Sequence, residues 1–331
     1  MRKRLCIAAL LLAAVCLLCG CAAQTTSGKT VYLKGELAYE SRETVCVIGG
    51  EKIPRDLYDY FYRSHLLDVQ SRWETESGYL LTVPRYFDTP EEEAKALTGQ
   101  SLREYVAIHR LAGQYGIKLT KDERDAITAT RTEAESGYPT REAYLAALAE
   151  SNFTEEMYEN YLFHDAVEAK LFDYMSKEFA GVIDSTDATV TANIREYFYA
   201  AVQIFIEVND DCPRETALEK ARTLYDEAKD ADLTRFGEIA AEEGDDGYGI
   251  RYFTVGYSYP FFEEAVAALQ PGMTSAIVES PLGYHIIRRV PLEDGYIDAH
   301  FETLRTDDIV RAYHAIVDET ATALDFEMTA D

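Results

Sequence analysis

The stretch Ala201-Val202-Gln203-Ile204-Phe205-Ile206-Glu207-Val208 decides how this chain is read. Val202, Ile204, Ile206 and Val208 fall on every second position, with Gln203, Phe205 and Glu207 between them. That period of two is the pattern of a strand with one face buried. From Pro54 to about Ala200 the chain has the helical period, so the fold changes character at Ala201.

Downstream, Arg214 to Ala228 reads as a helix with Ala217, Ala221, Leu224 and Tyr225 inward, and a second helix surrounds Phe236 and Ile239. Ile250 to Phe253 reads as a short strand, Pro260 to Leu269 as a helix and Ala276 to Glu279 as a strand. Tyr284 to Val290 is a last strand after the turn at Pro281 and Gly283. The order β-α-α-β-α-β-β predicts a small α+β module with helices on one side of a four-stranded sheet.

Upstream, Val45 to Ile53 reads as an extended or turn segment broken by Gly49 and Gly50, with Pro54 opening a helix that faces inward through Leu57, Tyr60, Phe61 and Leu67. Thr89-Pro90-Glu91-Glu92 supplies a cap, a first-turn proline and a capping-box glutamate. The helix it starts carries Leu102, Tyr105, Val106 and His109 on one side and stops near Gly116. Thr120 with Glu123, then Thr140, then Thr154 start three more helices, the last with Leu162, Leu171 and Tyr174. After Asp294 the helical period returns through Leu304, Ile309, Ala312 and Ile316, a face that can pack on the first bundle. The expected divisions are 46–199, helical; 200–292, α+β; and 293–331, a returning helix.

At the N-terminus, Arg2, Lys3 and Arg4 precede an apolar run from Leu5 to Leu18, shorter than the roughly 20 residues of a spanning helix. That reads as a secretory signal over residues 1–20. Its end, Leu18-Cys19-Gly20-Cys21, resembles the lipobox of bacterial lipoproteins. The resemblance implies cleavage before Cys21, a lipid on its thiol, and residues 21–45 as a tether on the outer face of a cell membrane. Losing Arg2, Lys3 and Arg4 takes the formal charge of −27 to −30. So acidic a chain repels nucleic acid and favours basic or neutral polypeptides. Cys46 and Cys212 would be the only unmodified cysteines left, too few for a disulfide framework; one bridge or two free thiols both fit.

The helical half is similar, at Val47-Ile48-Gly49-Gly50-Glu51-Lys52-Ile53, Tyr115-Gly116-Ile117-Lys118-Leu119-Thr120 and Phe153-Thr154-Glu155-Glu156, to PrsA-type extracytoplasmic foldase lipoproteins and the related SurA chaperones. From Val202 to Arg289 the chain resembles parvulin prolyl isomerases. The residues are Phe236-Gly237-Glu238-Ile239-Ala240, Phe262-Glu263-Glu264-Ala265, Leu269, Pro271-Gly272-Met273 and Gly283-Tyr284-His285-Ile286-Ile287. The resemblance implies a foldase that holds unfolded or nascent exported chains and isomerises X-Pro bonds. It implies no cofactor and no metal, and leaves a homodimer open.

Carried over by position, the family's paired histidines fall at Gln203 and His285, its reacting-side Cys or Asp at Asp246, and its proline cup at Ile250, Ser258 and Phe262, with Leu282 beside it. One histidine of the pair is therefore replaced, and the stretch between Asp246 and Ile250 is shorter than the family's. Read from the residues alone, His285 is either a structural histidine or a site group. Asp246 is either a site acid or one of a solvated run with Glu242, Glu243 and Asp245. A chaperone whose isomerase module has lost turnover is the alternative function. A solute-binding lipoprotein would need two βαβ lobes, which a helical first half does not supply. No G-x-S-x-G, H-E-x-x-H or C-x-x-C occurs after residue 20, and Gly28-Lys29-Thr30 lacks the rest of a phosphate loop.

Overall fold

A computed structural model describes residues 43–76, 87–151, 153–177, 180–247, 249–254 and 259–329. Cys21, with the signal and most of the tether, and Ser258 lie outside the described residues. The chain forms two compact units: unit 1 takes in 43–72, 87–175 and 315–329, and unit 2 takes in 73–76 and 176–314.

Unit 1 begins with a hairpin, β1 (Thr44–Ile48) and β2 (Glu51–Pro54). Gly49 and Gly50, at φ 53° and 90°, make its two-residue turn, a left-handed pair that glycine takes without steric penalty. Helices α1 (Arg55–Glu76), α2 (Pro90–Gln114), α3 (Lys121–Ser136), α4 (Arg141–Glu150) and α5 (Glu155–Met175) follow. Their starts are those the sequence marks. Thr89, Thr120 and Thr140 accept from the backbone N–H groups of Glu92, Glu123 and Ala143, and Thr154 from Met157. Each such cap contributes about 1 kcal/mol. Leu102, Tyr105, Val106 and His109 are buried as their spacing predicts, and Ala112, Leu119, Ile127 and Val167 join α2, α3 and α5. Leu67, expected inward, is 69% exposed.

The last described strand, β7 (Phe326–Met328), pairs with β1 and closes a sheet ordered β2-β1-β7. The helical period after Asp294 predicts helix to the end of the chain, and β7 departs from it. Three residues are too few to show a strand period, and only the pairing defines them.

Unit 2 contains α6 (Asp187–Tyr197), β3 (Phe198–Glu207), α7 (Arg214–Ala228), α8 (Leu233–Glu243), β4 (Arg251–Thr254), α9 (Pro260–Ala267), β5 (Val278–Ser280), β6 (Gly283–Val290) and the first part of α10 (Asp294–Thr322). The sheet is antiparallel, ordered β4-β3-β6-β5. Alternation along β3 and β6 sorts its two faces. Val202, Ile204, Ile206, Tyr284 and Ile286 pack with Ala217, Ala221, Leu224, Phe236 and Ile239 of α7 and α8. Ala201 and Ile287 pack with Phe262 and Val266 of α9. Helices therefore lie on both faces, not one, because the apolar side of α9 takes the face that α7 and α8 leave open.

The divisions expected at 199/200 and 292/293 also shift. Val190 and Ile194 of α6 pack with Phe198, Ile297 and Leu304, so α6 and residues 294–314 of α10 belong to unit 2. Asn193 Nδ2 donates to buried Asp308 at 2.9 Å, and Arg311 donates to the same carboxylate. Of the face predicted for α10, Leu304 is buried; Tyr313, Val317 and Ala321, not Ile309, Ala312 and Ile316, continue it.

Candidate active site

On the α9 face of the sheet, alternation leaves Gln203 and Phe205 of β3 beside His285 and Ile287 of β6. The register pairs Gln203 with Ile287 and Phe205 with His285, which makes Gln203 and His285 diagonal neighbours. Both are buried, and Gln203 Oε1 lies 2.9 Å from His285 Nδ1.

The loop after α8 brings up the acid. Asp245 N–H donates to the Phe205 carbonyl and Glu207 N–H to the Asp245 carboxylate, which docks the loop on β3. Asp246 then accepts from Gln203 Nε2 at 2.6 Å and from Arg251 Nη2. Arg251 starts β4 opposite Ala201, on the same face. At the other end Ser280, fully buried at the end of β5, holds its Oγ 2.7 Å from His285 Nε2.

Five side chains thus form one line: Arg251, Asp246, Gln203, His285, Ser280. Its hydrogen-bond direction follows from charge. The carboxylate ion-paired with Arg251 only accepts, so Gln203 turns its amide nitrogen toward Asp246 and its oxygen toward His285. His285 must then carry its proton on Nδ1, and its Nε2 accepts from the Ser280 hydroxyl at 2.7 Å, which is closer than the Gly283 carbonyl at 3.3 Å that competes for the same proton; Ser280 Oγ itself accepts from Leu282 N–H at 3.2 Å. Burial, with the Arg251 charge adding to it, pushes the His285 imidazole down to about 4, so it is neutral at physiological pH.

Aromatic rings border the line. Phe205 stacks on His285 with centroids 4.7 Å apart, Phe261 lies 5.1 Å from it, and Tyr259 stacks on Phe261. Phe262 is 5% exposed and packs against Phe253, so it is as much core as cup. Ile250 and Leu282 are 38% and 50% exposed.

Gln203, Asp246 and His285 are thus brought together, while Ser258 lies outside the described residues. Arg251, Ser280 and Phe261 were not singled out from the sequence. Ser280 had a local signal, a hydroxyl residue directly before Pro281 and Gly283 where a turn residue bonds nearby backbone. Arg251 had only its opposite charge to the Asp246 loop, and Phe261 had none beyond its place beside Phe262.

Residues 204–290 match the rotamase family model described as the PPIC-type PPIase domain. The match takes in Asp246, Arg251, Ser280 and His285 and starts one residue after Gln203. Among solved structures, the chain is similar to the peptidylprolyl isomerase PrsA from Bacillus anthracis, at 21% identity and a TM-score of 0.34, over 67% of this chain and 96% of that one. It is also similar to the foldase protein PrsA from Streptococcus pneumoniae, at 19% and 0.30, over 68% and 84%. A structure of SurA-like chaperones from Campylobacter jejuni is similar at 12% and 0.31, over 87% and 99%. No curated protein matches the chain.

Proposed function

We propose that this chain is a membrane-tethered foldase in which unit 2 isomerises X-Pro bonds of unfolded exported polypeptides and unit 1 holds them. The observation that carries the reading is the line from Arg251 to Ser280, all of it but Gln203 inside a stretch that matches a prolyl isomerase domain, with the Phe205 and Phe261 rings against His285.

An X-Pro amide turns through a twisted state that loses resonance, against a barrier of ~18–20 kcal/mol for peptide bonds generally. No bond to the protein is needed. The planar amide has the larger dipole, so an apolar border at the Phe205, Phe261 and Tyr259 rings disfavours it relative to the twisted form. A polar line already hydrogen-bonded from end to end costs no reorganisation as the amide turns. Asp246 and His285 are its site groups in this reading, and Gln203 joins them. Gln203 keeps both hydrogen bonds that a second imidazole would make there, one donated and one accepted.

The lipid on Cys21 would hold the chain at the extracytoplasmic face of the cell membrane. No described helix is long and apolar enough to cross a membrane. Replacing Cys21 by Ala should release the chain from the membrane fraction and stop uptake of labelled fatty acid.

A holdase with a degenerate isomerase module is the second reading, favoured by Gln203 at the position of a family histidine. Two assays on the same preparation separate them: isomerisation of a short X-Pro peptide and suppression of aggregation of an unfolded client. Isomerisation well above background that His285→Ala abolishes supports the foldase. Background isomerisation with aggregation suppressed overturns it in favour of the holdase.

A further inference from the structure

The turn Ser280-Pro281-Leu282-Gly283 carries two parts of the site at once. Ser280 Oγ meets His285 Nε2, and Leu282 forms an exposed edge. Gly283, at φ 150°, lies so close to β3 that a Cβ there would meet the Ile206 carbonyl oxygen at 2.0 Å. What grips the turn from the other direction lies on the far face of the sheet.

Glu279 pairs with Tyr284 across β5 and β6, and alternation turns both away from Ser280 and His285. Arg214, the first residue of α7, reaches them there. Its Nη1 donates to Glu279 Oε1, its Nη2 donates to the carbonyls of Ser280 at 3.2 Å and Pro281 at 3.3 Å, and its guanidinium lies 5.6 Å from the Tyr284 ring centroid. The side chain is 20% exposed.

At the start of helix α7 the charge of this residue is unfavourable. A cation in the first turn opposes the helix dipole, typically by 0.3–1 kcal/mol, and Pro213 offers no side-chain cap. The turn accounts for what the helix does not. One planar fork meets a carboxylate and two successive carbonyls, which the point charge of lysine cannot do together.

We propose that Arg214 is a positioning residue of the isomerase site. It holds the Ser280–Gly283 turn from behind, so that the Ser280 hydroxyl stays on His285 Nε2 and Leu282 stays at the rim. The proposal rests on the isomerase reading, and its first readout does not need that reading to be right.

The test uses the full chain with 13C,15N-labelled histidine, and the variants Arg214→Met, Arg214→Lys, Ser280→Ala and the Arg214→Met/Ser280→Ala pair. Arg214→Met is expected to move the His285 imidazole signals toward those of Ser280→Ala and to leave those of His109 and His164 in place. It should lower kcat for an X-Pro peptide about tenfold, one hydrogen bond's worth, with KM little changed. Added to Ser280→Ala it should cost nothing more, and Arg214→Lys should fall between. His285 signals unchanged in Arg214→Met overturn the proposal, as do losses that add in the double variant. If Arg214→Met does not fold, Arg214→Lys decides in the same way, unchanged His285 signals again overturning it. A wild-type chain with no isomerisation defeats the function proposed for unit 2, while the His285 signals still decide for or against Arg214.

Discussion

Each unit buries histidine, and the two burials have different surroundings. In unit 1, His164 Nδ1 lies 3.0 Å from His109 Nε2, Tyr105 stacks on His164 at 4.1 Å, and Phe163 stacks parallel to His109. In unit 2, His285 is as deeply placed and also stacked on a ring, but its hydrogen bonds run outward through Gln203 to Asp246 and Arg251, whose side chain is 55% exposed. Burial lowers the pKa of all three, His109 and His285 to about 4 and His164 well below its usual value. A depressed imidazole is therefore no sign of a site by itself. What separates the two is a continuous line of hydrogen bonds that ends in an acid–base pair; the charged group beside His109 and His164 is the Glu168 carboxylate, 3.9 Å from His164 Nε2.

Acid should break the comparison most strongly, and on the side of stability. A native pKa below the unfolded value means that the unfolded chain takes up the proton first as pH falls. Stability is then whole above about pH 6.5 and drains away toward pH 4. The His109–His164 pair contributes to that loss as one unit, because burial lowers both imidazoles and their ring nitrogens lie 3.0 Å apart. Guanidinium unfolding at pH 7 and pH 4.5 measures it. In the double variant His109→Phe/His164→Phe the part belonging to unit 1 should vanish; an unchanged acid loss would mean that the pair is not its source.

Gln203 gives the next effect, on activity. Because His285 is already neutral, kcat/KM should be flat from pH 6 to 8. Gln203→Ala removes one bond to a carboxylate and one to an imidazole, about 2 kcal/mol together, or roughly thirtyfold in kcat/KM. Gln203→Glu sharpens the contrast. A carboxylate at Nδ1 favours the imidazolium and should raise the His285 pKa by about 1–3 units, bringing a titration into a profile that had none. A sloping wild-type profile or a flat Glu variant would refute the tautomer and polarity assigned to the line.

How legible all this was depends on whether the causing residues are close in sequence. Caps act over three residues, so Thr89, Thr120, Thr140 and Thr154 announced their helices. The alternation from Val202 to Val208 announced the strand and, with it, the opposite facing of Gln203 and Ile204. The pairing of Gln203 with His285 came by resemblance, since nothing local joins residues 82 apart. Ser280 and Arg251 stayed hidden for the same reason: their roles come from register, Val278 opposite His285 and Ala201 opposite Arg251. The His109–His164 pair joins two helices that each look amphipathic alone, and α9 reads as a helix without saying which face of the sheet it covers.

The smallest effect expected is at Arg251, where the outward path ends. Its charge is the second cause of the low His285 pKa, after burial. Arg251→Met removes that cause and leaves Asp246 with Gln203 as its remaining partner along the line, so the His285 pKa should rise from about 4. With the guanidinium more than half exposed, solvent screens the ion pair, whose loss should cost at most ~1 kcal/mol and two- to fivefold in kcat/KM. Histidine NMR titration reads the first quantity and peptide isomerisation in low and high salt the second. High salt should weaken the wild type toward the variant and leave the variant unmoved. Arg251→Met with an unchanged His285 pKa would cut Arg251 out of the line and leave the outward path ending at Asp246.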